Sequence, residues 1–163
     1  MPLWESITDL RAGEPALRRR RYGVIEAVDA RLSGIHLRPW PKMISLPEAL
    51  WLGRWNHQRL PGDRCWLYYN QPLGHSNFLA VKYIVSARDC SFATLKAAMT
   101  VLEEVARIKN SDAALCHITN GKISDRLLAR EGWDRHCLNS YGRHYIKRFY
   151  GEYPQPDAAW ALC

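Results

Sequence analysis

Apolar residues recur at spacings of three and four along Phe92, Leu95, Met99, Leu102 and Ala106. That period gives one apolar face to a helix that starts near Ser91, whose hydroxyl suits an N-cap. "AALCHIT" (113–119) follows as a short, nearly all-apolar run, the pattern of a buried central strand. A second helix is expected over about 123–131, with Ile123, Leu127 and Leu128 inward, Gly132 left-handed at its end and Trp133 packed back on it. Upstream, "RCWLYYN" (64–70) and "NFLAVKYIVSA" (77–87) read as a hairpin around "QPLGHS". "YGVIEAV" (22–28) and "SGIHLRP" (33–39) read as another pair of strands, with turn residues in "DARLSG". A short helix is expected over 2–12 and another from Ser45 and Pro47 to "LPGD", with Leu46, Leu50, Trp51 and Leu52 inward. "RHCLNSYGRHYIKRFYG" closes the pattern as one or two strands around a turn near Ser140–Gly142.

From residue 64 onward the order is strand, strand, helix, strand, helix, strand, strand. A long helix between successive strands implies a parallel crossover. The expectation is an α/β (α+β) fold: a mixed, mainly antiparallel sheet with flanking helices. Strands 77–86 and 112–119 should be parallel neighbours. The 163 residues suit a single domain, 1–163, with residues 1–21 as an N-terminal arm and 151–163 as a C-terminal tail.

Composition narrows the function classes. Hydrophobic residues make up 47% and charged residues 24%, as in an ordinary globular protein. No run of 18 apolar residues occurs, so no membrane partner is expected. "MPLWESITDLRAG" lacks a basic start followed by an apolar run, and the five cysteines include no CxxC pair. Free thiols in the cytoplasm are the expectation. The net charge of +7 favours phosphate-bearing partners without choosing among them. The run Arg18–Arg21 is expected at the periphery, since it is too charged to bury unpaired.

Candidate chemistry concentrates at "YIVSARDCSFATLK" (83–96), where a strand feeds a helix N-terminus. The first helical N–H groups lack partners and the dipole is positive there, so such a corner suits an anion. His117, near the end of a central strand, is a candidate base because imidazole titrates near neutrality. Cys116–His117 and His136–Cys137 are adjacent pairs, but strand neighbours point to opposite faces. No metal site is expected from them.

The stretch "RDCSFA" (88–93) and the later "NGKISDRLLAREGW" (120–133) carry a resemblance. Together with the element order they resemble the GNAT (N-acetyltransferase) superfamily over about residues 64–150. Arg88, Ser91 and Ala93 stand at the positions of that family's pyrophosphate loop; Asn120, Gly132 and Trp133 stand at those of its second cofactor motif. The resemblance implies an acyl-CoA N-acyltransferase-like fold and acetyl-CoA or another acyl-CoA as cofactor. Val85, Arg88, Asp89, Cys90, Ser91, Phe92, Ala93, Asn120 and Lys122 would contact it. It also implies acyl transfer to an amine on a small molecule or a protein. The family often takes its proton donor from a tyrosine where Leu128 stands here, so Tyr141 and Tyr145 in the closing strands become the candidate acids beside His117.

Two other readings compete. One is a binding or structural module that keeps this fold with a degraded catalytic site. The other is nucleic-acid binding through the arginine run and "GRHYIKRFYG", a basic strand interleaved with aromatics. No recognised nucleic-acid motif appears, which disfavours nucleic acid as a partner.

Overall fold

The computed structural model describes residues 5–41, 61–118, 123–136 and 142–155. Within them the chain runs β1 (Glu5–Ile7), α1 (Glu14–Arg19), β2 (Tyr22–Val28), β3 (Arg31–Arg38), β4 (Arg64–Asn70) and β5 (Phe78–Ser86). It continues α2 (Phe92–Ile108), β6 (Ala113–Ile118), α3 (Asp125–Arg130), β7 (Asp134–His136) and β8 (Arg143–Arg148). The strands form one sheet in the order β1-β3-β2-β4-β5-β6-β8-β7. Every neighbouring pair is antiparallel except β5 and β6, which run parallel on either side of the α2 crossover. The mixed, mainly antiparallel α+β class expected from the pattern is present, as is the parallel pair. The helix expected from Ser45 lies outside the described residues.

Helix α2 turns a different stripe to the sheet from the one the spacing suggests. Thr94, Ala97, Ala98, Val101, Leu102, Val105, Ala106 and Ile108 are buried and the helix packs on β2, β3 and β4, whereas of the expected stripe Phe92 is exposed and Leu95 and Met99 are only partly buried. Small residues at 97 and 98 let the helix lie close to the sheet. The adjacent stripe of Phe92, Leu95, Met99 and Leu102 turns toward α3 instead. Gly23 shows how tight the sheet side is: a Cβ there would sit 2.6 Å from the Tyr69 hydroxyl.

The N-terminal segment departs from its expectation as a helical arm. Glu5–Ile7 is an edge strand on β3, and the helix begins only at Glu14, with Pro15 in its first turn. Between them the Asp9 carboxylate accepts from Arg11 N–H at 2.8 Å and Ala12 N–H at 3.3 Å, which turns the chain away from a helix. Ile7, Ala16 and Leu17 join the core, so residues 5–19 belong to the body of the fold.

The arginine run divides. Arg18 and Arg19 are exposed and pair with Glu14 and Glu5. The next two are tied in: the Arg20 carbonyl accepts from Lys109 Nζ at 2.8 Å, and the Arg21 carbonyl accepts from Gln71 N–H at 2.8 Å. Only half the run is peripheral. The expected tail is likewise anchored at its start, where Tyr153 donates to the Ser111 carbonyl at 3.0 Å and packs on Phe149.

The β2–β3 turn is tighter than expected. Asp29 and Ala30 both have positive φ, 49° and 60°, the geometry of a two-residue hairpin, so β3 begins already at Arg31. Alanine is strained there. Ala30 N–H donates to Thr94 Oγ1 at 2.8 Å and Asp29 N–H to the Asp63 carbonyl at 2.9 Å, which ties the turn to the N-terminus of α2.

Candidate functional site

The parallel strands β5 and β6 pair only at their starts, from Phe78↔Ala113 to Val81↔Cys116. Immediately beyond, β5 carries an irregularity. Tyr69 faces Val81 and Tyr68 faces Tyr83, so Lys82 is an extra residue against β4. Such a bulge bends a strand and ends regular pairing. The two strands part, and the opening is floored by Val81, Ile84, Cys116 and Ile118. Phe92, Leu95 and Met99 of α2 wall one side and Leu127 and Leu128 of α3 the other, with Trp133 behind.

This cleft is apolar and nearly full. Its cavity volume is about 20 Å³, room for about one water. Glu131 is its charged lining residue, and it pairs with Lys96 at 3.7 Å. Trp133 is 3% exposed, and its indole N–H has no partner among the described residues. A buried donor without an acceptor is costly, which marks the position as one where an acceptor would be welcome. Beside the cleft, Glu103 of α2 is ion-paired with Lys147 of β8, whose ammonium also donates to the Glu131 carbonyl at 2.7 Å. Burial nevertheless pushes the Glu103 carboxyl upward.

The corner at the start of α2 is built differently. Ser91 caps the helix by accepting from Thr94 N–H at 3.1 Å, as its sequence position implies. Its own hydroxyl donates to Asp63 Oδ2 at 2.6 Å, and its N–H donates to Asp63 Oδ1 at 2.7 Å. Burial alone would raise the Asp63 carboxyl. The hydrogen bonds from the Ser91 hydroxyl and N–H, with help from Thr94, outweigh it and hold the group below the ordinary value of 3.8. A carboxylate of the chain itself thus occupies the helix N-terminus where a pyrophosphate was expected. Nothing in the sequence flags this, since Asp63 lies 28 residues from its partner.

The remaining candidates scatter around these two features. Val85 faces the side of the sheet that α2 does not cover, in register with Trp66. Cys90 packs toward the core, and Phe92 is half exposed with the Arg130 guanidinium 5.9 Å from its ring. Arg88, Asp89 and Ala93 belong to the same corner. His117 stacks on His144 with ring centroids 4.4 Å apart. Desolvation, then the facing His144, lowers its pKa and keeps the ring neutral near pH 7. Its Nε2 lies against Gly142, where an added Cβ would come within 2.3 Å.

Tyr145 is buried on the cleft side, but its hydroxyl donates to Asp125 Oδ1 at 2.6 Å. Burial and that carboxylate raise its pKa, which makes it a reluctant proton donor. Tyr141, Asn120 and Lys122 lie outside the described residues. Leu128 is 4% exposed in the cleft wall, packed as an apolar side chain.

On the opposite face of the sheet, Val24, Glu26, His36, Trp66 and Tyr68 line a shallow pocket that the sequence pattern did not suggest. Ser6 Oγ and His36 Nδ1 are 2.9 Å apart, and His36 Nε2 lies 3.3 Å from Glu26 Oε2. Burial raises the Glu26 carboxyl, but hydrogen bonds from Trp66 and His36, with the Arg64 charge, hold it below the ordinary carboxylate range. These residues come from four strands, so only the sheet register brings them together.

Compared with known proteins, the chain matches no family model, no curated protein and no solved structure. No described helix is long and apolar enough to cross a membrane.

Proposed function

We propose that the chain is an acyl-CoA-dependent N-acyltransferase whose cofactor arm enters between β5 and β6. The observation that carries this reading is the opening itself: a parallel pair that parts at a bulge, lined by apolar side chains, with the unpartnered Trp133 N–H at its back. An acyl thioester on a pantetheine arm combines an apolar chain with amide and thioester carbonyls, which matches an apolar slot holding one donor. The arm requires the slot to widen, and Met99 with the short helix α3 are the parts suited to give way. The acceptor amine meets the acyl group from the face that carries His117, where the Glu26 pocket offers a carboxylate to a cationic acceptor.

The Asp63 carboxylate favours a second reading, a module that keeps this sheet and corner without transferring an acyl group. It fills the helix N-terminus with a charge of the wrong sign for a pyrophosphate partner. Calorimetric titration with acetyl-CoA, pantetheine and adenosine 3′,5′-bisphosphate separates the two. On the first reading acetyl-CoA and pantetheine both release heat and an amine panel yields acetylated product. Absence of heat from all three at millimolar concentration overturns it and leaves the module. Binding without transfer to any amine identifies Leu128, at the position of the family's acid, as the missing step.

A further inference from the structure

Beneath the corner, two thiols meet from segments far apart in the chain. Cys65 on β4 is fully buried, and Cys90 in the loop before α2 is half buried. Cys65 pairs in register with Ser86, and Ala87 N–H donates to the Arg64 carbonyl at 2.9 Å. Cys90 N–H then donates back to the Ala87 carbonyl at 3.1 Å, and Ser91 N–H to Asp63 at 2.7 Å. Residues 63–65 and 86–91 are therefore tied at successive points, and this folding-back brings Cys90 back beside Cys65. The Cys90 thiol is also within 3.6 Å of the Ser91 carbonyl.

We propose that Cys65 and Cys90 form an oxidisable dithiol, which a hydroperoxide converts to an intramolecular disulfide. Cys90 reacts first. It is the more accessible sulfur, and the hydrogen bond from Cys65 stabilises its thiolate, lowering its pKa against burial and the Asp63 charge. Cys65 is pushed the other way by the same hydrogen bond and by burial, so it keeps its proton. The Cys90 thiolate attacks one peroxide oxygen, the O–O bond breaks, and the departing oxygen takes a proton to leave as alcohol or water. The Cys90 sulfenic acid is then attacked by Cys65. The S–S bond forms, the S–O bond breaks, and the Cys65 proton leaves with the hydroxyl as water. Two thiols are oxidised and one peroxide is reduced. The bond would clip the corner to β4 beside the Asp63–Ser91 contact. Cys116 is not a competitor: it lines the cleft, and burial pushes its thiol up to about 12. The proposal stands apart from the acyltransferase reading, because it needs no cofactor.

The test treats the full chain with hydrogen peroxide, alkylates the remaining thiols after denaturation and digests with trypsin without reduction. The expected product is a cross-linked pair of peptides, 65–82 and 89–96, released on reduction and formed at a rate independent of protein concentration. Cys65→Ala should abolish the cross-link and leave a Cys90 sulfenic acid that dimedone traps. Should that buried variant fail to fold, Cys90→Ser decides alone: the cross-link must vanish and Cys65 must stay unmodified. Cross-linking of Cys90 to Cys137 or Cys163, or both Cys65 and Cys90 recovered alkylated while other cysteines are oxidised, overturns the proposal.

Discussion

Two points along strand β5 face opposite demands. At its C-terminal end, the corner into α2 presents backbone donors and meets those of Ser91 and Thr94 from within, using Asp63 and the Ser91 hydroxyl. Midway along, where β6 departs after Val81, the opening presents apolar walls and leaves the Trp133 indole N–H without an acceptor. The first region is polar, with its Ser91 and Thr94 donors matched from within, whereas the second is apolar with one buried donor unmatched. A ligand gains more from the second, because supplying a missing acceptor removes a penalty, while displacing Asp63 would create one. A strand-to-helix corner is thus an anion site only when nothing inside the chain has claimed it.

The largest test of this contrast is Leu128→Ala in the cleft wall. Leu128 is 4% exposed and shares the cleft with Leu102 and Ile118. If the cleft rests as packed core, the truncation should cost about 2–4 kcal/mol of stability in urea unfolding. A loss below about 1 kcal/mol would mean that the walls already yield, and that the slot stands open without ligand.

Asp63→Ala comes next, at about 1–2 kcal/mol, the usual range for losing a helix cap partner and stranding its donors. The sign of its pH dependence is fixed by the depressed carboxyl. Its folded pKa lies below the unfolded value, so its stabilisation is present above about pH 4 and is lost as pH falls through the lower folded value. The gap between wild type and variant should therefore hold constant near neutrality and close only in acid. Sulfate should stabilise Asp63→Ala more than wild type, because the vacated corner becomes the anion site expected from the sequence. Equal stabilisation of both by sulfate would show that the corner accepts anions with Asp63 in place.

Ser91→Gly is smaller. It removes the hydroxyl that links Asp63 to the helix but keeps the N–H at 2.7 Å from Asp63. About 0.5–1 kcal/mol should be lost. Acetyl-CoA affinity should not fall if the cofactor arm, held in the cleft, dominates binding. A drop in affinity of tenfold or more would return the cofactor to the corner.

Much of this contrast was legible in the sequence, and the missing half has a common cause. The α2 cap at Ser91, the parallel pair and the Gly132–Trp133 helix end are local or periodic features, and each stands where the pattern put it. Three kinds of feature lay beyond it. Asp63, the Glu26 pocket and the approach of Cys90 to Cys65 join residues distant in sequence, which only the register aligns. The bulge at Lys82 leaves no period of its own, yet it sets where the sheet opens. At the N-terminus the Asp9 turn overrode a helix-compatible pattern, although Pro15 already marked the later start.

The smallest expected effect belongs to Trp133→Phe, and its sign is the informative part. The substitution deletes the unpartnered N–H and part of the ring from a residue that is 3% exposed. Removing an unsatisfied buried donor gains stability, while the lost ring atoms leave a small void that costs some. The two nearly cancel, so unfolding should shift by less than about 1 kcal/mol in either direction. Ligand binding has no such cancellation. If the indole donates to a carbonyl of the acyl-pantetheine arm, the variant should bind acetyl-CoA several-fold more weakly at nearly unchanged stability. Calorimetry and urea unfolding on the same preparations read both quantities. A large stability loss with unchanged affinity would make Trp133 a packing residue and remove the donor from the cleft's chemistry.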